Sequence, residues 1–340
     1  MRTPATTPAA RTRSGAPKAD PAATVPPLTR RLRRPGRLAR VALATLVLLG
    51  LTAPVAGAAP VPAAPAPAPL DLPAGTPPEA RRAAQLSALT AAARMAGDGR
   101  HPERAAALAS LAADRPNLLE FDGRGPGRLV EVFGDLSRAR RVAVLVPGSD
   151  TSLDTYRRMR DGAAALHERL SEADTPTAVV AWLGYTTPET VGGAVVTTAR
   201  ADEGARALGP FLDRLARLTG PDTRFSLLCH SYGSVVCART DTGPAVADLV
   251  LYGSPGTGDA RTAADLPTPA RVWAARGSAD WIADIPHVRI GDLGLGTDPM
   301  TPSFGARILP AGDGGHSDYL RPGSVPLDSL ARVVLGTATP

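Results

Sequence analysis

Beyond Asn117, short runs rich in β-branched residues alternate with longer stretches whose apolar residues recur at helical spacing. This alternation favours a parallel sheet covered by helices, because each strand reaches its parallel neighbour through a helical crossover. The predicted strands are 129–133, 142–146, 178–183, 225–229, 249–252, 272–275 and 307–309, and the predicted helices are 153–173, 202–218 and 325–335. The sequence therefore predicts an α/β domain with a mostly parallel sheet over residues 117–340, preceded by a short helical segment over residues 79–116.

The net positive charge of the chain comes from its first 59 residues. This leader holds ten of the 38 lysines and arginines but only one of the 32 acids, which leaves 28 basic against 31 acidic side chains for the rest. A slightly acidic folded part argues against nucleic acid as a partner.

The leader has the order of an export signal. Six arginines between Arg30 and Arg40 precede an apolar run over residues 41–53, and small residues follow at 56–59. This apolar run is too short for a membrane-spanning helix, which needs about 20 residues. The sequence therefore predicts a signal peptide within residues 1–59, cleaved near Ala58 or Ala59, with an uncleaved membrane anchor as the alternative. In both cases the domain is expected outside the cytoplasm, and the Pro/Ala-rich residues 60–78 are predicted to be an extended linker.

One predicted strand runs into a serine and then into a helix. Residues 225–229 lead through His230-Ser231-Tyr232 to Gly233 and a helical run that ends at Arg239. This order is typical of a nucleophile elbow, in which a strained turn projects the serine hydroxyl. Small residues two places before and after the serine let strand and helix approach; Gly233 meets that need, and a cysteine replaces the first glycine. His230 is expected to point away from the site.

A serine hydroxyl needs a base, and the base needs an acid that orients it. His316 lies in a glycine-rich loop between the last predicted strand and the final helix, where this topology delivers the base. His287, in an earlier loop, is the alternative base. The predicted acid is Asp280, which follows the sixth predicted strand, and Asp284 and Asp259 are its alternatives.

The surroundings of the serine suggest an oxyanion hole and a pocket. The backbone amide of Tyr232 is one predicted donor, because it follows the nucleophile, and the amide of Ser149 is the other, because it follows an earlier strand through Pro147-Gly148. Three aromatic residues near strand ends, Trp182, Tyr185 and Trp281, are candidates to line an acyl pocket, although such residues equally often belong to the core.

The chain has two cysteines, Cys229 and Cys237. An exported protein with an even number of cysteines favours one disulfide between them. Two small buried thiols whose geometry does not allow a bridge are the alternative, and the sequence leaves both open.

The sequence resembles the α/β-hydrolase fold, and more narrowly the actinobacterial secreted α/β-hydrolase family of unknown function known as DUF1023. The resemblance rests on five blocks: FDGRGPGR at 121–128, VPGS at 146–149, WLGY at 182–185, CHSYGS at 229–234 and GHSDY at 315–319. It implies that residues 117–340 form an α/β-hydrolase domain with a serine hydrolase fold. Members of that family commonly carry Thr and Gly where this chain has Ser149-Asp150.

Together these features predict an exported serine hydrolase that cleaves an ester, or less readily an amide, through an acyl-enzyme on Ser231. Two alternatives are an acyltransferase that passes the acyl group to an alcohol of the cell envelope, and a surface-anchored binding domain without catalysis. The predicted partner is a small-molecule or cell-envelope acyl substrate. No metal-ligand spacing, phosphate loop or dinucleotide fingerprint is present in the sequence, so no metal and no cofactor are predicted.

Overall fold

The computed structural model of the protein describes residues 63–73 and 75–339. The predicted leader at residues 1–59 lies outside the described residues. Residues 63–73 and 75–77 of the predicted linker form neither helix nor strand. Within this part of the chain, no helix combines the length and the apolar composition that crossing a membrane requires.

Eight strands form one sheet in the order β1-β2-β4-β3-β5-β6-β7-β8. They are β1 (Leu118–Asp122), β2 (Arg128–Gly134), β3 (Arg141–Val146), β4 (Thr177–Leu183), β5 (Arg224–His230), β6 (Val246–Tyr252), β7 (Arg271–Ala275) and β8 (Arg307–Ile308). Strand β2 is antiparallel to both of its neighbours, and every other pair of adjacent strands is parallel.

In the described part of the chain, six α-helices accompany the sheet: α1 (Pro78–Asp98), α2 (Pro102–Ala113), α3 (Tyr156–Ser171), α4 (Ala199–Arg217), α5 (Tyr232–Ala238) and α6 (Val325–Leu335). The predicted fold class, a mostly parallel sheet flanked by helices and preceded by a helical segment, is confirmed.

The central strands are apolar on both sides, so the sheet separates two cores. Successive residues of a strand point to opposite faces, and Leu145 and Leu228 accordingly belong to one core while Val144 and Leu227 belong to the other. The first core is completed by residues of α1, α2, α3 and α6, and the second by residues of α4 and α5. Because helices cover both faces of the sheet, the central strands occur in the sequence as continuous apolar runs.

The helices that precede the sheet share its first core. Leu89 of α1 and Leu108 of α2 are buried in it. Arg104 of α2 is also buried, and its guanidinium donates to the carbonyl oxygens of Gly123 and Gly125 at 3.3 and 3.1 Å. The helical prelude is therefore packed and hydrogen-bonded against the strand β1 and the loop that follows it.

The sequence does not predict β1. This strand has five residues and lies at the edge of the sheet, where it pairs only with β2 and its register shifts between Leu118 and Glu120. Its two buried apolar residues, Leu118 and Phe121, are three positions apart. That spacing does not show the alternation by which a half-buried strand is recognised.

Candidate active site

Ser231 lies in the turn between β5 and α5, in a strained conformation. Its φ is +51° and its ψ is −127°, a region that residues with a side chain rarely adopt. The turn is held because the Ser231 amide donates to the carbonyl oxygen of Tyr252, at the end of the neighbouring β6, at 3.0 Å. The sequence-predicted elbow is present in this geometry.

Two glycines allow the turn to pack closely against the end of β3. A Cβ atom at Gly233 would lie 2.5 Å from the carbonyl oxygen of Pro147, and a Cβ atom at Gly148 would lie 2.6 Å from the Cβ of Ser231. Neither approach is possible for a residue with a side chain. The loop after β3 therefore lies directly beside the serine.

The structure brings Ser231, His316 and Asp280 together. The Ser231 Oγ and the His316 Nε2 are 2.8 Å apart, and the His316 Nδ1 and the Asp280 Oδ1 are 2.9 Å apart. Asp280 follows β7, and His316 lies in the loop between β8 and α6. Because β5, β7 and β8 run in the same direction, their carboxyl ends share one edge of the sheet, and the three side chains meet there.

The environment of Asp280 fixes the proton positions in this chain of hydrogen bonds. Burial raises the pKa of the Asp280 carboxyl, but hydrogen bonds from His316, from Tyr319 and from the backbone amide of Ile282 outweigh burial and hold that pKa below its ordinary value. An ionised carboxylate only accepts hydrogen bonds. The His316 Nδ1 is therefore the donor to Asp280, and in the neutral imidazole the lone pair of Nε2 faces the Ser231 hydroxyl.

The alternatives to these residues lie elsewhere. The ring of His287 faces backbone oxygens, with its Nε2 at 3.4 Å from the carbonyl of Ser254. Asp259 forms ion pairs with Arg239 and Arg289, and Asp284 is exposed. In the described residues, no three His, Cys, Asp or Glu side chains are grouped so as to hold a metal ion.

The predicted oxyanion donors lie on the two sides of the serine. Tyr232 begins α5, and Ser149 follows Gly148 in the loop that touches Ser231. Neither backbone amide donates a hydrogen bond to another residue of the described chain, so both are free to bind an oxyanion. Asp150, where the resembling family has glycine, has a φ of +59° and accepts a hydrogen bond from the Thr190 amide at 2.8 Å.

The three candidate pocket aromatics occupy different environments. Trp182 and Tyr185 are buried in the second core, and the Tyr185 hydroxyl donates to the Pro147 carbonyl at 2.8 Å. Trp281 is 49% exposed, and its ring centroid lies 4.7 Å from that of His316. Of the three, Trp281 is the one whose ring is both exposed and beside the ring of His316.

Two residues with evident contacts to the site are absent from the sequence-predicted set. The Tyr319 hydroxyl donates to the Asp280 Oδ2 at 2.5 Å and accepts a hydrogen bond from the Gly277 amide at 3.1 Å. The His230 Nε2 lies 2.8 Å from the carbonyl oxygen of His316, and the two ring centroids are 4.8 Å apart, so the expectation that His230 points away from the site is wrong. Tyr319 stands three residues after the base in the GHSDY block, which is a signal for it, whereas the sequence offers no signal for the contact of His230.

A disulfide joins Cys229 to Cys237. Cys229 is near the end of β5 and Cys237 is in α5, with their Cα atoms 6.5 Å apart. The bridge therefore links the strand before Ser231 to the helix after it.

Curated relatives of the chain are proteins without assigned function. The chain is 32% identical over 245 residues to the uncharacterized protein Rv2079 of Mycobacterium tuberculosis, a match that covers 62% of this chain and 37% of the relative. It is 33% identical over 168 residues to the uncharacterized protein Rv0963c of the same species, covering 46% of this chain and 59% of the relative. The chain thus spans less than two thirds of either relative.

Solved structures with a similar arrangement include XC6422 from Xanthomonas campestris, described as a member of the a/b serine hydrolases without lid. It shares 17% sequence identity with this chain at a TM-score of 0.39, over 63% of this chain and 92% of that one. The esterase PE8 shares 16% identity at a TM-score of 0.41, over 61% of this chain and 97% of that one.

A family model described as alpha/beta hydrolase matches residues 122–290. This region contains the loop with Ser149, the elbow with Ser231, and Asp280, while His316 follows it. The strand order, the elbow between β5 and α5 and this match agree with one another, and the chain has an α/β-hydrolase fold.

Proposed function

We propose that this protein is a serine hydrolase that cleaves an ester, or less readily an amide, through an acyl-enzyme on Ser231. The observation that carries the proposal is the hydrogen-bonded chain from Asp280 through His316 to Ser231 at the carboxyl edge of the sheet. These are the groups that activate a hydroxyl for attack on a carbonyl, in the arrangement that activation requires.

In the first half of the reaction, the Ser231 Oγ attacks the carbonyl carbon of the ester while its proton moves to the His316 Nε2. Asp280 stabilises the imidazolium that forms. The oxygen of the tetrahedral intermediate takes the negative charge and accepts hydrogen bonds from the amides of Tyr232 and Ser149. When the intermediate collapses, the bond to the alcohol breaks and the alcohol leaves with the proton from His316.

In the second half, a water molecule attacks the acyl-enzyme and gives its proton to the His316 Nε2. The bond between the acyl group and the Ser231 Oγ breaks, the carboxylic acid leaves, and the serine recovers its proton from His316. The protein is returned to its starting state, so the cycle needs no co-reactant besides water.

Exposed apolar side chains on the segment between β7 and β8 support an acyl substrate. Trp281, Val288, Ile290 and Leu293 lie on this segment, and each is about half exposed or more, with Ile290 at 79%. Trp281 lies beside His316, with 4.7 Å between the ring centroids, and exposed apolar surface commonly binds an apolar ligand. We propose that the acyl group of the substrate, from a small molecule or from the cell envelope, binds along this segment.

We also propose that the protein acts outside the cytoplasm. The disulfide between Cys229 and Cys237 supports this compartment, because such bridges persist in oxidising surroundings. The order of basic, apolar and small residues in the leader supports export as well. Amino-terminal sequencing of the exported protein tests it: a start near residue 59 is expected, and an intact apolar run in washed membranes would favour the anchor.

The proposed activity is tested with a fluorophosphonate probe and with acyl esters of graded chain length. The probe is expected to label Ser231, as identified by peptide mass spectrometry, and Ser231→Ala is the matched control without label. Hydrolysis in water, with release of the free acid, is expected for at least one ester. Labelling without release of acid, but with transfer to an added alcohol, would favour an acyltransferase, and absence of labelling would favour a binding domain.

A further inference from the structure

His230 is the last residue of β5 and directly precedes Ser231. Its ring is partly buried among aromatic rings, with centroid distances of 4.8 Å to His316, 5.1 Å to Tyr252 and 5.7 Å to Tyr319. The His230 Nε2 lies 2.8 Å from the backbone carbonyl oxygen of His316. The residue before the candidate nucleophile therefore contacts the backbone of the candidate base.

The direction of this hydrogen bond is determined by its acceptor. A carbonyl oxygen only accepts, so the proton must be on the His230 Nε2, which donates. Burial, together with the nearby ring of His316, lowers the pKa of His230 well below its ordinary value. His230 is therefore neutral above its lowered pKa, and it provides a fixed donor without adding a positive charge beside His316.

The loop that carries His316 is hydrogen-bonded to the segment after β7: the Ser278 amide donates to the Gly312 carbonyl at 3.0 Å, and Tyr319 bonds to Asp280 and Gly277. Within the described chain, the His316 carbonyl accepts a hydrogen bond from His230 alone. The neighbouring backbone bonds stay inside the loop, where the Gly315 amide donates to the Asp318 carboxylate at 2.8 Å and the Asp318 amide donates to the Gly315 carbonyl at 3.1 Å. The bond from His230 therefore connects this loop to β5, the strand that leads into Ser231.

We propose that His230 is a positioning residue that sets the separation between the Ser231 Oγ and the His316 Nε2. The proposal rests on the proposed function, because it assigns His230 a role in the reaction of Ser231. It predicts that loss of the donor slows the chemical step while substrate binding is retained. A displacement of about 1 Å costs on the order of 10²-fold in rate, which is the size of effect expected here.

Three variants separate the donor from the packing of the ring. In His230→Gln, the amide nitrogen reaches about as far from the backbone as the Nε2 of histidine, so the bond to His316 can form. In His230→Asn, the amide is one methylene too short, and His230→Leu fills the space without a donor. The matched control is His167→Gln, because His167 is another partly buried histidine with a lowered pKa, and it lies in α3 away from the site.

We expect kcat to fall by on the order of 10²-fold in His230→Asn and His230→Leu with little change in KM, and to be largely restored in His230→Gln. The control is expected to keep the kcat of the unchanged protein. Wild-type kcat in His230→Asn would overturn the proposal, and so would an equal loss in Gln and Asn variants that melt at the same temperature. The comparison of kcat between His230→Gln and His230→Asn tests the proposal even if His230→Leu does not fold.

A second readout distinguishes this proposal from the proposed function. The proton on the His316 Nδ1 that is donated to Asp280 should give a far-downfield resonance in the proton NMR spectrum, and this signal does not depend on turnover. It should be retained in His230→Gln and His167→Gln and lost or broadened in His230→Asn. If no ester is hydrolysed but the resonance follows this pattern, the proposed function fails and the positioning role stands. An unchanged resonance in all variants would overturn the role.

Discussion

Two buried carboxyl groups, those of Asp280 and Glu131, have similar immediate surroundings, but their pKa values are shifted in opposite directions. Their residues are 3% and 2% exposed, and each accepts a hydrogen bond from a tyrosine hydroxyl. The pKa of Asp280 is lowered. The pKa of Glu131 is raised, because burial outweighs the charge of Arg160 and the hydrogen bond from the Tyr156 hydroxyl. Burial and a hydrogen bond from a tyrosine therefore do not by themselves determine the direction in which the pKa of a carboxyl group shifts.

The difference arises from the other groups that face each carboxylate. Asp280 accepts two further hydrogen bonds, from the His316 Nδ1 and the Ile282 amide. Glu131 shares its cation, because Arg160 also binds Asp114 at 2.9 Å. Asp280 leads to a histidine and a serine at the edge of the sheet, whereas Glu131 links β2 to α3 and, through Asp114, to the end of the helical prelude. We interpret the first as a functional network and the second as a structural one.

The largest expected effect is the loss of activity when a residue of the functional network is replaced. Ser231→Ala and His316→Ala are each expected to lower kcat for ester hydrolysis by on the order of 10⁶-fold, because one removes the nucleophile and the other its base. The free energy of unfolding should change little, and Glu131→Gln should keep the activity in the same assay. Residual activity at about a tenth of the wild-type level in either variant would contradict the assignment.

The next effect tests the acid. Asp280→Asn is expected to keep the fold and to lower kcat by on the order of 10⁴-fold, because an amide stabilises the wrong tautomer of His316 and cannot support the imidazolium. The matched control is Asp259→Asn, at an exposed carboxylate that pairs with two arginines. Near wild-type turnover in Asp280→Asn together with loss of activity in Asp259→Asn would make Asp259 the acid.

A smaller effect, on stability alone, is expected from the structural network. Glu131→Ala should lower the free energy of unfolding by about 3 kcal/mol, because it removes one partner of a buried ion pair. The folded protein should retain its kcat. The control is Glu120→Ala at an ion pair with Arg214 that is nearly half exposed on both sides, where a change below about 1 kcal/mol is expected. Urea unfolding measures both, and equal losses would remove the distinction between the two pairs.

The sequence predicts the fold class and the positions of Ser231, Asp280 and His316 for one reason. Each follows a predicted strand, and parallel strands bring their carboxyl ends to one edge. The choice among Asp280, Asp284 and Asp259 needs the structure, because all three lie in loops after such strands. The contact of His230 is also not visible in the sequence, since it joins residues far apart in the chain through the direction of one side chain.

The last and smallest expected effect is the dependence of stability on pH, in which the two carboxylates should have opposite signs. The lowered pKa of Asp280 contributes stability that is present above the ordinary Asp pKa of about 3.9 and is lost as the pH falls through the lowered value. The raised pKa of Glu131 means that ionisation costs more in the folded state. Its contribution therefore falls as the pH rises from the ordinary Glu pKa of about 4.3 through the raised value.

Differences between variants isolate these two contributions. The free energy of unfolding of the wild type minus that of Asp280→Asn should rise with pH up to about pH 4 and then level off. The same difference against Glu131→Gln should begin to fall at about pH 4 and level off above the raised pKa. Urea unfolding at a series of pH values measures both curves. If both differences changed with pH in the same direction, the two carboxylates would not be in opposite electrostatic states, and the contrast between the two networks would be wrong.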